Sequence, residues 1–96
     1  MIILLTNAIQ SQSLIEFEYD GGLRIVEPYC HGISLKGNHV LRAYQVDGYS
    51  STGKMGWKLY DISKVISILV RENNFSVVRS DYNKGDKGMM SIYYEL

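Results

Sequence analysis

Two pairs of residues in this sequence combine a cation with an aromatic ring on one face of a predicted strand. Lys58 and Tyr60 lie two residues apart, as do Arg42 and Tyr44, and side chains at that spacing share a face of a strand. If the two faces coincide, two cations and two rings form a surface for phosphate groups and bases. The alternative is that both pairs lie on a solvated outer face and make ordinary cross-strand contacts.

Three further side chains are candidates for the same surface, and each has a structural alternative. Trp57, the only tryptophan, could be a stacking platform or a core residue. Arg24 could bind a ligand or pair across strands with a glutamate, and His31 could donate a hydrogen bond to a phosphate. The predicted ligand-binding residues are therefore Arg24, His31, Arg42, Tyr44, Trp57, Lys58 and Tyr60.

The sequence predicts neither a catalytic nor a metal site. Cys30 and His31 are neighbours, and neighbours on a strand point to opposite faces. His39 is the only other histidine, which is too few ligands for tetrahedral zinc. Glu16 and Glu18 fit the solvated side of the first strand better than a pair of catalytic carboxylates. We therefore expect a protein that is not an enzyme and that has no cofactor.

Charge and composition limit the classes of partner. The formal net charge is zero, which argues against strong non-specific binding to DNA. Residues 28–64 nevertheless carry a net charge of +3, so a local basic surface is possible. A single cysteine cannot form an internal disulfide and fits a cytoplasmic location. The apolar first five residues fit neither a signal peptide nor a membrane span.

The hydrophobic pattern predicts five short strands between two short helices. Apolar residues at Ile2, Leu5, Ala8 and Ile9 indicate a helix over residues 2–12. Alternating apolar and polar residues, bounded by turn residues, indicate the strands. The predicted strands cover residues 14–20, 23–29, 39–46, 56–62 and 65–70. Asn83-Lys84-Gly85 predicts a turn, and Asp86 can cap the second helix, which runs from Lys87 to about Glu95.

Turn residues organise these elements into a small barrel. Asp20-Gly21-Gly22 predicts a tight hairpin, and Pro28 marks an edge, a bulge or the end of its strand. Residues 30–38 read as a bend or ribbon, and residues 48–56 as a surface loop. Five short strands with turn signals about every ten residues predict a small barrel over residues 1–72. Residues 73–96 are expected to dock on the same domain as a tail.

The order of these motifs resembles the WYL domain family, in a compact stand-alone branch. The resemblance covers about residues 2–70. The family's Trp-Tyr-Leu triplet falls on His39-Val40-Leu41, where only the leucine matches, and Lys58 stands where many relatives have arginine. The matching segments are Ile15-x-Phe17-x-Tyr19, then Arg24-x-Val26-x-Pro28, then a glycine turn and the stretch from Trp57 to Ile66. The segments that look like the compact branch are residues 27–32, residues 40–45 and, in the tail, residues 82–89.

The resemblance implies a small Sm-like β-barrel that binds nucleotide-type ligands or short nucleic acids, usually as the sensing half of a bacterial regulator. It implies no catalytic activity. No helix-turn-helix segment precedes the predicted barrel, so we expect a sensor that signals through another chain, or a bacterial or phage protein that sequesters its ligand. The alternative is an assembly module that forms a homodimer or contacts a partner protein, and the eight tyrosines support it equally well. We expect no membrane association.

Overall fold

One helix and six antiparallel strands make up the fold, which a computed structural model describes over residues 1–96. None of the helical segments has the length and apolarity that a membrane-crossing helix needs. The elements are α1 Ile2–Gln10, β1 Ser13–Tyr19, β2 Gly22–Ser34, β3 His39–Gly48, β4 Gly56–Asp61, β5 Ile66–Asn74 and β6 Met89–Glu95, with a 3-10 turn over Ile62–Lys64.

The strands form a single sheet in the order β4-β3-β2-β1-β5, and β6 also pairs with β2. The first half of β2 pairs with β1, and the second half of the same edge pairs with β6. The predicted mainly-β class is confirmed, with six strands instead of five. The sheet does not close into a barrel, because β4 and β5 stand at its two ends.

Helix α1 forms where the apolar periodicity predicts it. Leu5, Ala8 and Ile9 are buried and lie three to four residues apart, so they share one face of the helix. An isolated helix of nine residues is marginal in water, so its packing against the sheet stabilises it. Ile2 lies at the exposed start of this stripe.

The hairpin between β1 and β2 also follows from the sequence. Asp20 and Gly21 have φ angles of 49° and 80° and connect Tyr19 to its partner Gly22. Two consecutive residues with positive φ define the type I′ turn that suits the twist of a hairpin. The predicted tight turn is therefore confirmed.

Strand β2 is longer than predicted. It continues through Cys30 to Ser34, so the predicted bend over residues 30–38 is wrong for its first half. The pairing of β2 with β3 shifts between Pro28 and Cys30, which places Pro28 at a bulge. A bulge accommodates proline because the ladder there does not need its missing N–H.

The predicted C-terminal helix is wrong, because residues 89–95 form strand β6. Met89 and Ile92 have helical spacing, but Gly32 and Ser34 of β2 offer an unpaired backbone edge in this region and pair with these two residues. Tertiary pairing with that edge overrides the weak helical pattern. The ladder ends where the Leu96 amide donates to the Tyr29 carbonyl at 2.9 Å.

The sheet has two covered faces, which we name the helix face and the tail face. Helix α1 packs on the helix face, and segments of residues 75–88 lie across the tail face. The helix face holds the main core, in which Phe17 and Tyr60 meet edge to face at 5.0 Å. Its buried residues are Leu5, Ala8, Ile9, Ile15, Phe17, Val26, Leu41, Ala43, Tyr60 and Ile62.

Candidate functional site

The register between β3 and β4 separates the two predicted cation–aromatic pairs. Tyr44 lies opposite Trp57, whereas Lys58 lies opposite Ala43 of the core. Residues directly opposite each other share a face of the sheet. Arg42, Tyr44 and Trp57 therefore lie on the tail face, while Lys58 and Tyr60 lie on the helix face. The expected surface of two cations and two rings is not assembled.

The tail face instead carries a cluster of aromatic side chains around Trp57. The Trp57 ring lies 4.8 Å from the Tyr29 ring and 5.3 Å from the Tyr44 ring, both edge to face. The Tyr82 ring stacks over Trp57 at 6.0 Å, with 28° between the planes. Trp57 is half-buried, so it is part of a packed cluster that also reaches the surface.

An open groove of about 630 Å³ lies beside this cluster, and we name it the tail groove. Arg42 and Trp57 line it on the sheet side, and residues 81–87 line it on the opposite side. Three cations border the groove, namely Arg42, Lys84 and Lys87, together with two carboxylates, Asp81 and Asp86. The formal charge of the groove is therefore +1.

Both carboxylates are engaged with the residues of the sheet. Asp86 accepts hydrogen bonds from Arg42 Nε at 2.6 Å and from Arg42 Nη2 at 3.3 Å. The bond from Arg42 lowers the pKa of Asp86 below its ordinary value. Asp81 accepts a bond from Trp57 Nε1 at 3.0 Å. Lys84 and Lys87 make no ion pair and are exposed.

An ion pair between the half-buried Arg79 and the buried Glu27 holds the preceding part of the tail against the sheet. Arg79 donates to both oxygens of Glu27, at 3.0 and 2.9 Å, and its guanidinium lies 4.0 Å from the centre of the Tyr44 ring. The Glu27 side chain is only 7% exposed. The Tyr29 hydroxyl links the two, since it donates to Glu27 at 3.2 Å and accepts from the Arg79 amide at 2.9 Å.

Arg24 is a buried cation without an acidic partner. It donates to the Tyr19 carbonyl at 3.0 Å and lies between the Tyr19 and Tyr49 rings, 5.5 and 5.2 Å from their centres. Its Nε makes no hydrogen bond. The pairing with Glu16 or Glu18 that was the structural alternative does not occur. Phe17 of β1 is the cross-strand partner of Arg24, and the side chains of Glu16 and Glu18 point to the other face of β1.

Lys58 and Tyr60 contribute to the helix face in different ways. Lys58 is half-buried, and its ammonium donates to Ser50 of the adjoining loop at 3.3 Å. Tyr60 is 2% exposed and donates to Gln45 at 3.4 Å. Burial raises the pKa of the Tyr60 hydroxyl to about 12. Neither side chain borders the tail groove.

His31 is fully buried beneath helix α1. Hydrogen bonds join its Nε2 to the Thr6 hydroxyl at 2.8 Å and its Nδ1 to His39 Nε2 at 3.0 Å. Burial, followed by the neighbouring His39, lowers the pKa of His31 to about 4. Both ring nitrogens are thus engaged within the protein.

Sequence reasoning missed the residues of the tail that complete the groove. Asp86 was expected to cap a helix, and Arg79 and Tyr82 had no assigned role. The signals in this segment were the predicted turn at Asn83-Lys84-Gly85, where a lysine lies beside residues that favour turns, and the similarity of residues 82–89 to the compact branch. Nothing local shows that this turn lies against β3 and β4.

Comparison with models of known protein families, with curated proteins and with solved structures finds no match for this chain. The resemblance to WYL domains therefore remains a prediction from motif order. Within the chain, no three His, Cys, Asp or Glu side chains are grouped so that they could hold a metal ion.

Proposed function

We propose that this chain is a non-catalytic module that binds a nucleotide-type ligand, or the end of a short single-stranded nucleic acid, in the tail groove. The observation that carries the proposal is one groove bordered by Arg42, Lys84 and Lys87 beside the Trp57 and Tyr82 rings. Its volume lies in the range of about 300–1,000 Å³ that is typical of small-molecule sites. Cations beside aromatic rings suit a ligand that has both a phosphate and a base.

The charge of the groove favours a ligand with few phosphates. Asp86 already accepts from two nitrogens of Arg42, so a phosphate meets the remaining donors of Arg42 together with the two lysines. A phosphodiester carries a charge of −1 and balances the formal charge of +1, a monophosphate at about −1.5 to −2 exceeds it slightly, and a triphosphate exceeds it further. One nucleotide of a single strand fits this limit best, followed by a nucleoside monophosphate.

The proposal is tested by titration calorimetry with adenosine monophosphate, adenosine, inorganic phosphate and a short oligothymidylate. We expect the monophosphate or the oligonucleotide to bind more tightly than adenosine or phosphate alone. Each charge-assisted contact contributes about 1.5–3 kcal/mol, so Lys84→Ala with Lys87→Ala should weaken binding at least about tenfold. The double variant should also show a shallower dependence of affinity on salt.

The matched control is Lys54→Ala with Lys64→Ala, which removes the same charge from exposed positions outside the groove. It should leave the affinity nearly unchanged. Lys58→Ala distinguishes the two faces of the sheet. If Lys58→Ala weakens binding and the Lys84 and Lys87 double variant does not, the ligand binds on the helix face. If none of these compounds binds the wild-type protein, the proposal is wrong.

The biological role we propose with this activity is sensing or sequestration of the ligand. A relation to WYL domains supports this role, and that relation rests on the order of the sequence motifs around Arg24, Pro28 and Trp57. Of the residues that line the groove, Arg42 and Trp57 lie within residues 2–70, and residues 81–87 lie outside that range.

A further inference from the structure

Arg24 is a buried cation whose charge no neighbouring group balances. It is 5% exposed, it takes part in no ion pair, and its Nε makes no hydrogen bond. Glu27, which is also buried, is by contrast paired with Arg79. Buried charges are usually paired, because a charge that is removed from water without a partner is costly. An unbalanced buried cation therefore favours a ligand that brings negative charge.

A second cation without an acidic partner lies on the same face of the sheet. Arg24 lies directly opposite Phe17, a core residue of the helix face. Lys58 lies directly opposite Ala43, which belongs to the same core. The Lys58 ammonium forms no ion pair and donates to the neutral hydroxyl of Ser50 at 3.3 Å. The helix face thus carries two cations that no carboxylate neutralises.

The loop between β3 and β4, residues 49–55, contacts both of these cations. The centre of the Tyr49 ring lies 5.2 Å from the Arg24 guanidinium, and the next residue, Ser50, accepts from Lys58. Two hydrogen bonds, of 2.7 and 2.8 Å, fix the backbone of Tyr49 to the sheet. The loop beyond Ser50 is exposed. Consecutive residues of one loop therefore place the two cations at one end of the helix face.

The charge of this region selects a class of anion. Arg24 and Lys58 together carry +2, and the exposed Asp47 and Lys54, beside and within the loop, cancel each other. A phosphomonoester carries about −1.5 to −2 at pH 7 and so balances the two cations. A carboxylate or a phosphodiester carries only −1 and leaves one cation unbalanced.

We infer that Arg24, Ser50 and Lys58 form a second anion site, separate from the tail groove, for free phosphate or the phosphate of a phosphomonoester. The anion takes the place of the contact between Lys58 and Ser50, so it accepts hydrogen bonds from the ammonium and from the hydroxyl. The hydroxyl of Thr52, 3.2 Å from that of Ser50, is a third donor on the same loop. Tyr49 is 51% exposed, and rotation of its ring opens the free Nε of Arg24 to the anion.

The test is titration calorimetry of the full chain with inorganic phosphate, glycerol phosphate and acetate, at an ionic strength held constant with chloride. We expect both phosphates to bind more tightly than acetate, and the tighter of the two identifies free phosphate or a phosphomonoester as the ligand. Lys58→Ala should weaken phosphate binding at least about tenfold, whereas Lys58→Arg keeps the charge and should retain it. Lys64→Ala is the matched control, because it removes the same charge from an exposed position outside the site.

Arg24→Met tests the buried half of the site, because methionine keeps an unbranched apolar stem and removes the charge. It should also weaken phosphate binding about tenfold, and the Lys58 variants decide the matter if Arg24→Met does not fold. Acetate that binds as tightly as phosphate overturns the inference, and so does an equal loss in Lys58→Ala and Lys64→Ala. Phosphate binding that only the Lys84 and Lys87 double variant weakens also overturns it, by assigning phosphate to the tail groove. Because each site has its own variants, either can fail while the other stands.

Discussion

Replacing Arg79 with alanine should destabilise the whole domain, because it leaves the Glu27 carboxylate buried without its cation. Arg79 is the only cation that pairs with Glu27, through hydrogen bonds of 3.0 and 2.9 Å. The Glu27 side chain is 7% exposed, whereas the Arg79 side chain is 38% exposed. Water can therefore replace part of what the guanidinium provides, but it reaches the carboxylate poorly.

The expected loss is about 2–3 kcal/mol. Removing one partner of a fully buried ion pair costs about 3–5 kcal/mol, and the exposure of Arg79 places this pair below that range. For a domain of this length, 1 kcal/mol corresponds to about 4–8 °C in melting temperature. The melting temperature of Arg79→Ala should therefore fall by roughly 10–20 °C.

Glu27→Gln separates the cost of the buried charge from the loss of packing. In the wild-type background it removes a favourable ion pair and should destabilise the protein. In the Arg79→Ala background it removes an unpaired buried charge and should stabilise the protein. Urea denaturation of the wild type, both single variants and the double variant measures this change of sign. If Glu27→Gln costs the same in both backgrounds, or if Arg79→Ala costs less than about 0.5 kcal/mol, the reasoning is refuted.

Three further predictions concern other parts of the fold. The folded-state pKa of His31 is lowered to about 4, so its neutral form stabilises the fold fully at pH values above the unfolded pKa of about 6.5. As the pH falls from about 6.5 to about 4, up to about 3 kcal/mol of the free energy of unfolding should be lost. Denaturation as a function of pH should show this loss in the wild type and less of it in His31→Gln. Gly48→Ala should lower the free energy of unfolding by more than about 2 kcal/mol, because Gly48 has a φ of +90° and a Cβ there overlaps the backbone of β2. Gly53→Ala is the control: Gly53 has a φ of +72° but lies in open space, so its loss should be about 1 kcal/mol. Burial raises the pKa of Cys30 to about 12, so a thiol reagent should modify Cys30 only after unfolding, and Cys30→Ser should leave ligand binding intact.

Local features of this protein could be predicted from the sequence because they depend on residues close together in the chain. The stripe of Leu5, Ala8 and Ile9 defines the buried face of α1 without reference to the rest of the fold. Asp20 and Gly21 tolerate the positive φ that a two-residue hairpin requires. Pro28 lacks an N–H, so the bulge found there was one of three expected outcomes.

The arrangement of the candidate site was decided by the tertiary structure. Alternation along β3 and β4 predicts which residues of one strand share a face, but only the pairing of the two strands decides which faces coincide. That register places Arg42 beside Trp57 and separates it from Lys58. The same holds for β6, whose partner lies more than fifty residues earlier in the chain. Arg79 contacts Glu27 and Asp86 contacts Arg42 only because β6 pairs with the edge of β2 and thereby places residues 75–88 across the tail face. The periodicity of a single segment cannot predict contacts between residues so far apart in the chain.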